Sequence, residues 1–230
     1  MKKLFGILCT GGLLAVGLPT MTAAQDMHVR DFVHEIYVEG VPYEKANAFD
    51  AEAVPILLEM LADRDESPYW ANVTVTLCII GDESAVDPLI EFIKKDDGTI
   101  SDEVYRAKSS TVMALGYLIN KTGNETALTY LIDSLDPQAW TRRGVRYRGR
   151  FQASTEARDT QLSTMAMLGL ALSGRPEAAE ALRNVPLRRF PGDFQAQASG
   201  AAEAALEAHQ QIAEDGLAEY YKKARMGSGG

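Results

Sequence analysis

Apolar residues along this chain recur at i, i+3, i+4 and i+7, the spacing of one helix face. Val54, Leu57, Leu58 and Leu61 keep it, as do Leu128, Leu131, Ile132 and Leu135. Four short segments share this pattern: AVPILLEML (Ala53–Leu61), AVDPLIEFI (Ala85–Ile93), ALTYLIDSL (Ala127–Leu135) and AAEALRNV (Ala178–Val185). Each precedes a turn and a longer apolar helix, expected at Ser67–Ile80, Asp102–Thr122, Thr155–Leu172 and Asp193–Glu214. Gly81, Gly123, Gly174 and Gly216 follow the longer helices, where a left-handed C-cap is expected. Strand-like alternation is absent except around Val145–Tyr147.

Leu57, Leu89, Leu131 and Leu182 hold one position in these segments, so the chain reads as a stack of similar units. Their spacings are 32, 42 and 51 residues. The units lengthen because the turn inside each pair lengthens, from Ala62–Glu66 to Lys95–Ser101 to Asp136–Ser154. The expected fold is all-α, an α-solenoid of about four antiparallel helix pairs with units near 49–81, 82–123, 124–174 and 175–216. A capping helix is expected at Val29–Val38, then a loop at Gly40–Pro42, a segment Tyr43–Phe49, and a closing helix at Gly216–Arg225. The tail 226–230 reads as disordered. Ala114, Gly116, Ala166, Gly169 and Ala171 are small enough to let the longer helices approach closely.

The first residues change the picture from a fold to a compartment. Lys2 and Lys3, an apolar run of 15 residues (Leu4–Leu18) and the small residues Thr22-Ala23-Ala24 are the three parts of a secretory signal peptide. Cleavage after Ala24 is expected, leaving a repeat domain over 25–225 in the periplasm or outside the cell. The apolar run is short of the roughly 20 residues a membrane span needs, and no later stretch reaches that length. Cys78 is then the sole cysteine, placed in an apolar run as a buried small hydrophobe. Loss of Lys2 and Lys3 takes the formal charge from −9 to −11, which disfavours nucleic acid and anionic membranes as partners.

Against that charge, Trp140–Phe151 (WTRRGVRYRGRF) stands out. Arg142, Arg143, Arg146, Arg148 and Arg150 fall within nine residues with no acid among them, interleaved with Trp140, Tyr147 and Phe151. Guanidinium forks bind carboxylates and phosphates, and aromatic faces add stacking. Gly144 and Gly149 indicate a folded-back loop, read as a small hairpin. The opposing reading pairs these arginines with Asp133, Asp136, Glu156 and Asp159 as a solvated surface. Arg188 and Arg189, with Phe190, occupy the equivalent turn of the next unit and would extend the basic strip if the turns align. Trp70 and Asn72 are candidates for a groove, although Trp70 can equally pack between units.

His28, His34 and His209 lack metal-pair spacing, and no nucleophile, phosphate-loop or metal motif is present. The acids at Asp82-Glu83 and Asp102-Glu103 begin helices, where they act as caps. No catalytic residues, cofactor or metal ligands are assigned.

GDESAVDPLIEFIKKD and the run VYRAKSSTVMALGYLINKTGNETALTYLIDSLDP resemble HEAT repeats, in particular the short HEAT-like type of bacterial proteins. The resemblance rests on Gly81-Asp82, the run Ala85–Ile90 and Ala114–Gly116. Asp63, Asp96 and Asp136 fall in the turns where that family tends to place Asp. Arg106 and Arg158 match its basic residue early in the longer helix, where the first unit has Tyr69-Trp70 instead. The match covers Phe49–Gly174, and the fourth unit loosely. The resemblance implies stacked antiparallel helix pairs whose longer helices line a concave face, and protein binding. The expectation is therefore a non-catalytic exported scaffold that engages a protein partner, acidic ones included, through the groove and the arginine loop. An anionic ligand or polymer bound through Arg142–Arg150 is the alternative, and an enzyme or enzyme subunit is the least favoured reading.

Overall fold

A computed structural model describes residues 29–227 of the chain. The signal segment 1–24, His28 and residues 228–230 lie outside the described residues. The domain is 76% helical, with about 12 helices and one small two-stranded parallel sheet. In chain order it contains α1 (29–34), α2 (Tyr43–Ala46), α3 (Val54–Ala62), α4 (Trp70–Ile80), α5 (Val86–Lys94), β1 (Asp97–Ile100) and α6 (Asp102–Thr122). Then follow α7 (Glu125–Asp133), α8 (Gln138–Arg142), β2 (Arg146–Gly149), α9 (Thr155–Ser173), α10 (Pro176–Arg183), α11 (Gly192–Asp215) and α12 (Leu217–Gly227).

Four short helices, α3, α5, α7 and α10, alternate with four longer ones, α4, α6, α9 and α11, where the apolar periodicity places them. The longer helices pack side by side in sequence order, with α6 between α4 and α9 and α9 between α6 and α11. Each short helix packs on a longer one: α3 on α4, α5 on α6, α7 on α6 and α9, α10 on α9 and α11. Leu57, Leu89 and Leu131 are fully buried and Leu182 nearly so. Burial of one recurrent leucine in each short helix is the physical content of the repeated pattern. Starts are encoded locally: the side chains of Ser101, Asn124 and Ser154 accept the backbone N–H groups of Val104, Ala127 and Ala157.

Helices α6 and α9 approach closely in the core. A Cβ on Gly116 would sit 2.0 Å from the Gly169 carbonyl oxygen. One on Gly169 would meet Leu131 Cδ1 at 2.9 Å and the Met113 and Val112 carbonyls at 3.0 Å. Both glycines therefore serve backbone contact.

Several expectations are corrected. Gly123 and Gly174 are left-handed caps, but Gly81 is extended (φ −63, ψ 170) and Gly216 has positive φ with an extended ψ of 162. The first helix ends at His34 rather than Val38, because the Asn72 amide donates to the Val33 and Glu35 carbonyls (2.9 Å each) and stops it. The closing helix continues to Gly227, past the expected end at Arg225. Residues 97–100, read as turn, form a strand. Residues 146–149 pair with it in parallel rather than closing a hairpin, in the register Asp97↔Arg146 to Ile100↔Gly149. The sheet thus ties the turn of one helix pair to the turn of the next. The alternation around Val145–Tyr147 is the one local signal of this pairing, and residues 97–100 carry none.

Candidate binding site

The arginine loop is built on two buried cations. Arg158, at the start of α9, spends its guanidinium on the Val145 carbonyl (3.0 Å), the Tyr147 carbonyl (2.8 Å), Thr141 Oγ1 (3.3 Å) and Asp159 Oδ1 (2.8 and 2.5 Å). It holds the free edge of β2 and blocks those two carbonyls from pairing with another strand. Burial raises the pKa of Asp159 despite Arg158 and Thr141, which pull it down. Lys108 of α6 lies under the sheet. Its ammonium donates to the carbonyls of Phe92 and Lys95 and contacts Asp96 Oδ2 at 3.1 Å. It also sits over the rings of Phe92 (4.5 Å) and Tyr147 (4.9 Å). Burial lowers its pKa to about 8, with Asp96 opposing. Asp96 adopts φ 87, a left-handed conformation that Asp tolerates better than most residues. Burial would raise its pKa, but Arg64 and Lys108 outweigh that and lower it.

On this base β2 alternates. Tyr147 and Gly149 face inward, Tyr147 edge-on to the Tyr105 ring at 6.3 Å. Arg146, Arg148 and Arg150 face outward. Residues two apart on a strand are roughly 6.7 Å apart, so Arg146 and Arg148 are spaced along β2, and Arg150 stands in the turn that follows it. Arg146 pairs with Asp97 across the sheet at 3.1 Å, both side chains exposed. Arg148 and Arg150 make no ion pair among the described residues, although the exposed Glu103 is within electrostatic reach of Arg150. Phe151 follows, 82% exposed.

The other predicted residues divide differently. Trp140 and Tyr147 are completely buried. The Trp140 indole donates to Ser163 Oγ at 3.0 Å and meets the Tyr130 ring edge-on at 6.1 Å, so both aromatics are core and neither offers a face to a partner. Arg143 turns back over the Tyr130 ring (4.2 Å) and bonds Ser134 Oγ and Asp133. Arg142 and Arg189 both bond Asp136 Oδ2, which brings the two basic turns onto one edge of the molecule. Arg188 is exposed beside them. The surface-pairing reading therefore holds for Asp133 and Asp136. It fails for Asp159, which is taken by Arg158, and it missed the pairing of Arg146 with Asp97.

The expected groove is largely filled by the chain itself. Trp70 is buried, its indole donating to the Met60 carbonyl (3.0 Å) and its ring edge-on to Phe92 of α5 (5.2 Å). Asn72 is spent on the end of α1. From the other terminus, α12 folds back so that Tyr221 stacks on Tyr43 (5.3 Å, 19°) and bonds the Tyr117 hydroxyl of α6. What stays open on this face is a cleft of about 530 Å³ between residues 35–41 and α4 and α6, bordered by Arg106, Met113 and Tyr221. Arg106, the residue the family pattern singled out, is exposed there, while Lys108 occupies the buried position.

Sequence reasoning missed Lys108, and it named Asp136 as a partner of the arginines without its sharing by Arg142 and Arg189. A lysine in a long helix reads as surface unless the carbonyls it will meet are known. His34 bonds Glu66 (2.7 Å) and the buried His209 bonds the Arg175 carbonyl (2.8 Å), so each has a partner already. Cys78 is buried and its thiol pKa is pushed up by that burial. No helix among the described residues is long and apolar enough to cross a membrane. No family model matches the chain, and neither a curated protein nor a solved structure is significantly similar to it.

Proposed function

We propose that the chain is an exported, non-catalytic HEAT-like repeat scaffold that binds the acidic face of a protein partner through the arginine strand. The observation that carries this reading is three exposed arginines, Arg146 and Arg148 on β2 and Arg150 in the turn after it, with exposed Phe151 beside them, on a strand whose Val145 and Tyr147 carbonyls are held by buried Arg158 and whose Tyr147 ring rests on Lys108. A strand held in place loses less side-chain and backbone freedom on binding than a mobile loop would. Guanidinium groups spaced along a strand match carboxylates presented at similar spacing. Four short helices alternating with four long ones, the long ones stacked in order, support the repeat reading. The three-part N-terminal segment supports export. Because α12 and residues 35–41 occupy much of the long-helix face, this reading moves the contact from the groove to the strand.

The test uses residues 25–230 and a polyglutamate peptide. Binding should weaken steeply with added salt. The triple variant Arg146→Gln, Arg148→Gln, Arg150→Gln should lose at least about tenfold in affinity with an unchanged far-UV spectrum, since all three side chains are exposed. Equal affinity in the triple variant would sink the proposal.

A further inference from the structure

A second basic feature lies on the same edge, and it is built differently. Asp136, just past α7, has a side chain only 11% exposed. Its Oδ1 accepts the Gln138 backbone N–H at 3.1 Å, and its Oδ2 accepts both Arg142 Nη2 (2.8 Å) and Arg189 Nη1. Burial would raise the pKa of Asp136, but Arg142, the Gln138 N–H and Arg189 outweigh it, so the carboxylate stays charged and holds both guanidiniums. The two arginines are still 58% and 55% exposed. A guanidinium carries five N–H donors, and each of these has one directed at Asp136. The remaining donors border two clefts that meet at the pair.

The two clefts differ in charge. One, of about 640 Å³, is walled by Glu156 and Asp159 opposite the arginines. The other, of about 560 Å³, lies between α7, α8 and the end of α10 and adds a third guanidinium, Arg143. Its acids are Asp136 and Asp133, each already paired with an arginine of the same wall. Its floor is apolar, formed by Ile132, Leu135 and Ala139. This cleft carries one positive charge in excess, and its cations are oriented before anything binds.

We infer that Arg142 and Arg189, clamped by Asp136 and flanked by Arg143, form an oxyanion site for the carboxylate or phosphate group of a small ligand. Two guanidiniums approaching from separate segments suit the two or three oxygens of such a group. Asp136 acts as a positioning residue, since it removes rotamer freedom from both arginines before binding. The site is independent of the arginine strand. It would exist whether or not Arg146, Arg148 and Arg150 meet a partner.

The experiment titrates residues 25–230 with inorganic phosphate and, separately, with citrate, at constant ionic strength held with sodium chloride. Arginine side-chain Nε–Hε resonances in a ¹⁵N NMR spectrum report the site. Saturable shifts confined to Arg142, Arg143 and Arg189 are expected with at least one anion, and which anion does so separates a phosphate ligand from a carboxylate one. Arg189→Gln and Arg142→Gln, both more than half exposed, should each weaken binding at least tenfold, whereas Lys222→Gln, on α12, should leave it unchanged. Absence of saturation with both anions would overturn the inference. So would binding that survives Arg189→Gln and Arg142→Gln, or shifts spread evenly over all the surface arginines.

Discussion

Replacement of Gly116 by alanine tests the central helix packing, because the structure makes its sign unusual. In an exposed helix interior, Gly→Ala stabilises by roughly 0.8–1 kcal/mol through helix propensity. Gly200, inside α11, meets that condition, since a Cβ there has nothing within 4 Å. At Gly116 the added Cβ would lie 2.0 Å from the Gly169 oxygen, 2.8 Å from the Gly169 carbonyl carbon and 2.9 Å from Leu172 Cβ. Ordinary contact is about 3.5 Å, so α6 and α9 would have to part by more than about 1 Å. Two of the three obstructing atoms are backbone, so no side chain can rotate away to relieve the clash. Overpacking of this kind costs typically 1–3 kcal/mol and occasionally more. A rigid backbone collision between fully buried neighbours such as Leu115, Leu118 and Leu170 belongs at the upper end. After the propensity gain is subtracted, Gly116→Ala should destabilise by about 2 kcal/mol and Gly200→Ala should stabilise by about 1 kcal/mol. For a domain of this size the gap between them corresponds to a melting difference of roughly 6–12 °C. Urea titrations followed at 222 nm, with m-values compared to exclude a change in the unfolded state, give both numbers. Equal stability of the two variants would refute the close α6–α9 approach.

Two further perturbations probe the buried cations. Arg158→Met strips Asp159 of its charged partner and uncovers the Val145 and Tyr147 carbonyls. It should cost about 3–5 kcal/mol at neutral pH, and less in acid, where Asp159, its pKa already raised by burial, takes up a proton. A loss below about 1 kcal/mol in a urea titration would contradict the clamp role. Lys108 has a folded-state pKa of about 8 against the usual 10.5, because burial penalises its charge. Between those values the unfolded chain keeps a proton that the folded chain has released, so this group makes stability rise with pH, by at most about 1.4 kcal/mol per unit. The stability difference between the native chain and Lys108→Met should therefore grow in favour of the native chain from pH 7.5 to 9.5. A flat difference would mean that the Phe92 and Lys95 carbonyls keep the ammonium protonated.

What the residues determine by themselves is whatever depends on neighbours within a few turns. The i, i+3, i+4, i+7 spacing in Ala53–Leu61 and Ala127–Leu135 marks both the helix and the face it buries, and Leu57 and Leu131 are accordingly inaccessible. The start at Ser101 and the caps at Gly123 and Gly174 are equally local. Gly116 and Gly169 could be read as sites of close approach because the absence of a side chain has few other uses inside a helix.

The arginine loop was legible only as a composition. Five arginines and three aromatics in one stretch look alike whether exposed or buried. Which of them faces water depends on Asp97–Ile100, a segment whose own residues show no alternation and whose partner strand lies beyond an entire helix pair. Once that pairing sets the register, Tyr147 and Gly149 must point inward and Arg146 and Arg148 outward, with Arg150 exposed in the turn that follows. The burial of Trp140, the contact of Lys108 with the Phe92 carbonyl, and the sharing of Asp136 by Arg142 and Arg189 likewise follow from how the helices pack on one another. That packing is a sum of many side-chain contacts between helices. No short stretch of sequence contains it, so the helices and their faces are written along the chain, while the exposed arginine surface exists only after the helices pack.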